Sequence, residues 1–201
     1  MDPLDLIRLN VGIENRIGAG GDLSALPGKA SALLSAHRYA GGYAFFFRRD
    51  IPGDIREQIR ALPPEQVLTD HAAVRRILGQ AAPCGQVFAG KGHYFARMPA
   101  PAEYAGVVRR EDGCHVVKID GMPVCFAWTQ DGSDQADELA VETLPEFRRR
   151  GYARRAASAW AAAVMQAGRV AFYSHKIENT VSEALAHSLG VVQYALSTGY
   201  E

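Results

Sequence analysis

The chain has few cysteines, Cys84, Cys114 and Cys125, an odd number without C-x-x-C spacing. That excludes a disulfide framework and a cysteine-rich zinc site, and it fits a reducing compartment. Its six histidines are scattered without metal-ligand spacing, so no metal is expected. It has no surplus of charge: 22 Lys and Arg stand against 22 Asp and Glu. A broad polyanion-binding surface, and with it nucleic acid as a partner, is therefore not expected. No apolar run approaches the roughly 18 residues of a membrane span. Met1-Asp2-Pro3 lacks the positive start of a signal peptide, so the expectation is a soluble cytoplasmic protein with no membrane partner. No internal repeat, low-complexity tract or linker rich in Gly, Ser or Pro marks off a free domain.

At 201 residues and 48% apolar content there is enough chain for one full core with an appended part. The most informative stretch is Glu138 to Gly168. Leu139, Val141 and Thr143 alternate with Glu138, Ala140 and Glu142, which predicts a strand that Pro145 ends. Ala153, Ala156, Ala157, Trp160, Ala161 and Val164 share one face of a helix closed by Gly168. Between them lies Arg148-Arg149-Arg150-Gly151-Tyr152-Ala153. A helix start exposes unpaired N–H groups and partial positive charge, and Gly151 admits close approach, so the turn suits a phosphate or pyrophosphate. A solvated basic helix start is the other reading of the same charges.

R-x-x-G-x-A, following T-L-P-E-F and opening a helix, resembles the acetyl-CoA loop of the GCN5-related N-acetyltransferase (GNAT) family. The resemblance implies that Arg148, Arg149, Arg150, Gly151, Tyr152, Ala153 and Arg154 hold the pyrophosphate of acetyl-CoA. It implies too that backbone groups of Val141, Glu142 and Thr143 hold the pantetheine arm. Tyr173-Ser174-His175, with Asn179, Ser182 and Gly190, resembles the family's second cofactor segment. There Asn179 would contact the pantetheine with Ser182 nearby; Asn is also a good helix N-cap, and both roles are compatible. The two segments look most like the zwittermicin-resistance branch.

The implied activity is direct transfer of an acetyl group to an amine of a small molecule. A base must free the amine; Glu142 is favoured because it lies nearest the thioester end, Glu138 comes second, and Asp137 is a third carboxylate on the strand. Many members carry a tyrosine where this chain has Ala186. That leaves proton return to Tyr173, to His175, or to unaided departure of the thiolate. A non-catalytic acyl-CoA-binding module and a protein-directed acetyltransferase are the competing readings.

Turns at Asp112-Gly113, Asp120-Gly121 and Asp131-Gly132 predict an antiparallel meander, Cys114–Ile119, Pro123–Thr129 and 137–143. A β-α-β unit to residue 174, a short helix ended by Gly190 and a last strand at 191–198 follow. The expected fold is therefore α/β: a GNAT fold with a mixed central sheet, helices on both faces and a mostly helical N-terminal extension. Its expected parts are an extension at 1–84, packed on the core, and an acetyl-CoA-binding core at 85–201. Upstream, helices are expected to Ile17, at 31–37, at 50–61 and after Asp70, with a buried strand at Tyr43–Phe47. The terminal strand is a candidate edge for a homodimer.

Overall fold

The computed structural model describes residues 1–201. The first half contains α1 (Pro3–Val11), β1 (Asn15–Ile17), β2 (Asp22–Ala25), β3 (Leu34–Tyr39) and β4 (Gly42–Arg48). Helices α2 (Gly53–Arg60), α3 (Pro64–Thr69) and α4 (His71–Leu78) and strand β5 (Val87–Tyr94) follow. The second half contains β6 (Val107–Arg109), β7 (His115–Ile119), β8 (Met122–Gly132), β9 (Ala136–Thr143), α5 (Tyr152–Gln166), β10 (Val170–Lys176), α6 (Thr180–Leu189) and β11 (Val192–Tyr200). The chain forms two units, Met1–Gly92 with Tyr194–Glu201, and His93–Gln193. The end of the last strand belongs with the first unit because it pairs with β3 there.

In the first unit Asp2 caps α1, its carboxylate accepting from the Leu4 N–H at 2.7 Å with Pro3 in the first turn. The helix stops at Val11, short of the expected Ile17. Gly21, at φ +79°, instead turns the chain so that β1 pairs with β2. Residues 31–37 are a second correction: β3, not a helix, occupies 34–39. Leu34 and Ala36 lie in the core, and the strand pairs antiparallel with both β4 and β11. Those ladders outweigh a helical propensity that is only a weak prior. Leu62-Pro63-Pro64 stops α2 as expected but also begins α3, because Pro64 suits a first helical turn.

The terminal strand is not the free edge expected, since β11 lies between β3 and β5 of its own chain. Its Tyr200 is fully buried among Leu34, Phe47, Ile59, Val67 and Leu78. The Tyr200 hydroxyl lies 2.6 Å from the Val67 carbonyl and 3.2 Å from His71 Nδ1.

The second unit is a sheet ordered β10-β9-β8-β7-β6. Strands β6 to β9 form the expected antiparallel meander, and β9 and β10 run parallel. Asp120 and Gly121, both at positive φ, make the tight β7–β8 turn. Helix α5 lays Ala156, Ala157, Trp160, Ala161 and Val164 against Val117, Val124, Ala127, Leu139 and Ala171. Its alanines let helix and sheet lie close, and the Trp160 indole N–H donates to Thr129 Oγ1 at 3.0 Å, satisfying its one polar atom.

Tyr200→Phe removes the donor to the buried Val67 carbonyl. It is expected to lower the unfolding free energy by about 1–2 kcal/mol in denaturant titration, with an unchanged slope.

Candidate functional site

The parallel ladder between β9 and β10 is short, with register Val170–Ala136, Ala171–Asp137 and Phe172–Glu138. The Val170 N–H donates to the Gln135 carbonyl at 2.9 Å. In a parallel ladder each second residue repeats the step, so Phe172 addresses Asp137 and, were the ladder to continue, Ser174 would address Leu139. It does not continue. The Ser174 N–H instead donates to Glu138 Oε1 at 2.6 Å, while β9 runs on to Thr143 and β10 to Lys176. The two strands therefore part beyond Phe172 and Glu138.

The same parity fixes what β9 offers to the split. The Leu144 N–H donates to the Val124 carbonyl at 3.0 Å, so even-numbered residues of this segment direct their backbone groups towards β8. Odd-numbered residues direct theirs towards β10. The Leu139 carbonyl, both backbone groups of Val141 and the Thr143 N–H thus face the split. The Thr143 carbonyl is taken by Arg148 Nε at 3.0 Å. Of the three residues expected to hold a pantetheine arm through backbone groups, Val141 and Thr143 direct backbone groups into the split. Glu142 pairs with Phe126 of β8 and presents only its side chain.

Beyond β9 a 3-10 turn (Pro145–Phe147) leads into the basic loop. Arg149 (φ +61°) and Gly151 (φ +80°) are both left-handed and flank Arg150. A non-glycine residue held there costs about 1 kcal/mol, a strain that marks a functional loop when the surroundings enforce it. Left-handed turns of this kind gather successive N–H groups into an anion-binding concavity. Helix α5 begins at Tyr152 with no side-chain cap and no acid in its first turn. The N–H groups of Tyr152, Ala153 and Arg154 therefore lack the partners that helices usually recruit. The side chains of Tyr152 and Ala153 pack on the core, so these two residues offer backbone only.

The arginines divide by task. Arg148 braces the Thr143 carbonyl, and the Arg150 guanidinium lies 5.5 Å from the Phe147 ring centre. Arg154 Nη2 is 3.5 Å from Glu103 Oε2, and Arg155 Nη2 donates to the Ala105 carbonyl at 2.5 Å. The last two tie the Pro101–Ala105 segment to the helix. Glu103 also accepts from Arg97 and from the Ala100 N–H, both at 2.8 Å. The Arg97 bond, then that N–H, hold its carboxyl down at about 2. The Arg154 side chain, expected at the pyrophosphate, lies against Glu103 in this structure.

The candidate proton-transfer groups fall on two faces. Leu139 and Val141 face the α5 core and Thr143 Oγ1 reaches Cys125 Sγ, so Glu138 and Glu142 point the other way. Glu142 is exposed; Glu138 is half-buried. Asp137 is buried with Arg169 Nη1 at 2.8 Å. Burial raises its pKa against the opposing pull of Arg169 and Thr129, a structural ion pair at the opposite end of β9 from the loop.

Tyr173 and His175 lie on the α5 and α6 face with Ala171. The Tyr173 hydroxyl donates to the Ser182 carbonyl at 3.4 Å, and burial raises its pKa. His175 Nδ1 donates to the Lys176 carbonyl at 2.9 Å, and its Nε2 lies 3.8 Å from Glu183 Oε2, beyond hydrogen-bond distance. Asn179 caps α6, its Oδ1 accepting from the Ser182 N–H at 3.0 Å. Sequence reasoning missed His93, which stacks on His175 with ring centres 5.2 Å apart and planes 14° apart. Nothing near His93 in the sequence signals this, because the partner arrives from β10.

Residues 130–198, which run from the end of β8 through β9, α5, β10 and α6 into β11, match the model of the FR47-like protein family. No curated protein matches the chain. Among solved structures, an acetyltransferase of the GNAT family from Colwellia psychrerythraea superposes with a TM-score of 0.53 at 8% identity. That match covers 92% of this chain and 79% of that one. A GNAT-family protein from Novosphingobium aromaticivorans is 19% identical with a TM-score of 0.49, covering 58% of this chain and only 65% of its own length. A GCN5-related N-acetyltransferase-like protein from Streptococcus suis is 14% identical with a TM-score of 0.48, covering 84% and 83%. The chain has the GNAT fold.

An added Cβ at Gly151 meets no atom within 4 Å, so its cost is conformational alone. Gly151→Ala is expected to weaken coenzyme A binding roughly fivefold in calorimetry, the equivalent of about 1 kcal/mol of left-handed strain. Unchanged affinity would separate the loop from ligand binding.

Proposed function

We propose that this chain moves an acetyl group from acetyl-CoA to an amine of a small molecule by direct transfer. The observation that carries the reading is the parting of β9 from β10 immediately ahead of an uncapped helix start. It offers a polar strand edge for a pantetheine arm and an amide concavity for a pyrophosphate. The residues present fit the cofactor: Val141 and Thr143 for the amide-bearing arm, Arg149 to Arg154 for the diphosphate through backbone N–H groups, and Asn179 at the α6 cap. Likeness of the Thr143–Gly151 and Tyr173–Gly190 segments to zwittermicin-resistance acetyltransferases favours a small acceptor.

Acetyl-CoA supplies the activated acyl carbon and departs as the thiol. Within the chain, Glu142 accepts the proton of the incoming ammonium, directly or through one water, on the face of β9 away from α5. The Val141 N–H, directed into the split, is the donor placed to meet a carbonyl oxygen as it gains charge. Tyr173 is a phenol, protonated at neutral pH, and its hydroxyl on the α6 side is the group left to return a proton; burial raises its pKa and so weakens it as an acid. Ala186, matched to the family's usual tyrosine, is itself 3% exposed and packed in the core, so the proton donor must come from another element.

That buried alanine favours one second reading, an acyl-CoA-binding module without transfer. Release of free thiol from acetyl-CoA across an amine panel separates the two. The transferase reading expects turnover, and expects Glu142→Gln to lower kcat by about 100-fold or more with coenzyme A affinity unchanged. Binding without turnover for any amine selects the module.

A further inference from the structure

Glu138 stands second among the carboxylates expected to act as base, yet one of its oxygens is already engaged. Oε1 accepts the Ser174 N–H at 2.6 Å, a short bond to a carboxylate oxygen. That N–H is the donor the parallel ladder would otherwise spend on the Leu139 carbonyl, and the carboxylate belongs to the residue immediately before Leu139. The side chain therefore takes the place of its own strand's next acceptor. We infer that Glu138 is the pin that keeps β9 and β10 apart, a positioning residue for the acyl-CoA arm and not the base.

The consequence is counted in backbone groups. With Ser174 satisfied by a side chain, the strands need not meet to pair it, because a backbone donor requires a partner and not one particular partner. Were the carboxylate absent, the ladder would extend by one step, Ser174 to the Leu139 carbonyl. The next step would bring Lys176 to the Val141 carbonyl. Those two steps would use up the strand edge that the split now presents. Closing the split and holding a pantetheine arm are thus mutually exclusive uses of one row of groups, and Glu138 decides between them. Phe172, paired with Glu138 in the last register position, is fully buried and fixes where the separation begins.

This inference rests on the proposed acyl-CoA site but is tested separately from it. Wild type, Glu138→Gln and Glu138→Ala are compared without ligand by scalar coupling through the hydrogen bond of the Ser174 amide, and then by calorimetry with acetyl-CoA. Wild type is expected to show coupling from the Ser174 nitrogen to the Glu138 side-chain carboxyl carbon. In Glu138→Ala the coupling should move to the Leu139 carbonyl carbon, and acetyl-CoA should bind at least about tenfold more weakly, the range for a lost charge-assisted bond. Glu138→Gln keeps an acceptor oxygen and should stay within about threefold of wild-type affinity. The pin is overturned if Glu138→Ala shows no Leu139 coupling or keeps wild-type affinity. It is equally overturned if Gln and Ala depress kcat alike at unchanged affinity, the mark of a base. Failure of wild type to bind acetyl-CoA would remove the proposed function, while the coupling in the ligand-free chain would still decide the role of Glu138.

Discussion

A parallel strand pair that stops pairing while both strands continue must satisfy its freed backbone groups by other means. Here one N–H, that of Ser174, goes to a carboxylate, and one carbonyl, that of Thr143, goes to a guanidinium. What remains on the β9 edge is a short row of donors and acceptors with no ladder partner on β10. Every other feature of the candidate site depends on that row being left open. The β8 ladder pairs β9 along its other side from Cys125–Thr143 to Gly132–Asp137, with a register shift between Thr129 and Asp131.

Helix α5 is the second element of the arrangement. Its buried alanines bring it close to the sheet, and its Trp160 fixes its position through packing and the bond to Thr129. That seating brings its first turn directly after the end of β9, so the strand edge and the helix amides are joined by one short loop. The arginine-rich composition of the loop serves two purposes. Arg148 and Arg155 act as braces to backbone carbonyls and Arg154 as an ion-pair partner, while the left-handed Arg149 and Gly151 set the backbone course into α5, where the proposed diphosphate contacts would be made by N–H groups. Net charge over the whole chain is zero, so this positive field is local.

The strand, turn and helix at 138–168 were legible in the sequence because local signals agree there: alternation, a proline stop, a left-handed glycine and a small-residue helical face. The meander was legible for the same reason, through its Asp-Gly turns. The N-terminal part was less so. Residues 31–37 carry no strong local preference, and the strand that occupies 34–39 is set by its ladders to β4 and to β11, the latter distant in sequence. Pro64 was ambiguous because one residue type both ends and begins helices.

In the candidate site, residue identities were readable but their commitments were not. The contact of Arg154 with Glu103, some fifty residues away, has no local signal, and Glu138 reads as a free carboxylate until the β10 register brings Ser174 beside it. His93 had no local signal at all. Partnerships between elements belong to the tertiary level, and composition or spacing does not encode them visibly.

The most direct measurement is a titration of the isotope-labelled chain with coenzyme A, following backbone amide resonances. The account predicts saturable shifts at Val141 and Thr143 together with Tyr152, Ala153 and Arg154, the strand edge and the helix start responding as one site. Binding that leaves either group unmoved, or an absence of saturable shifts at both, would contradict it.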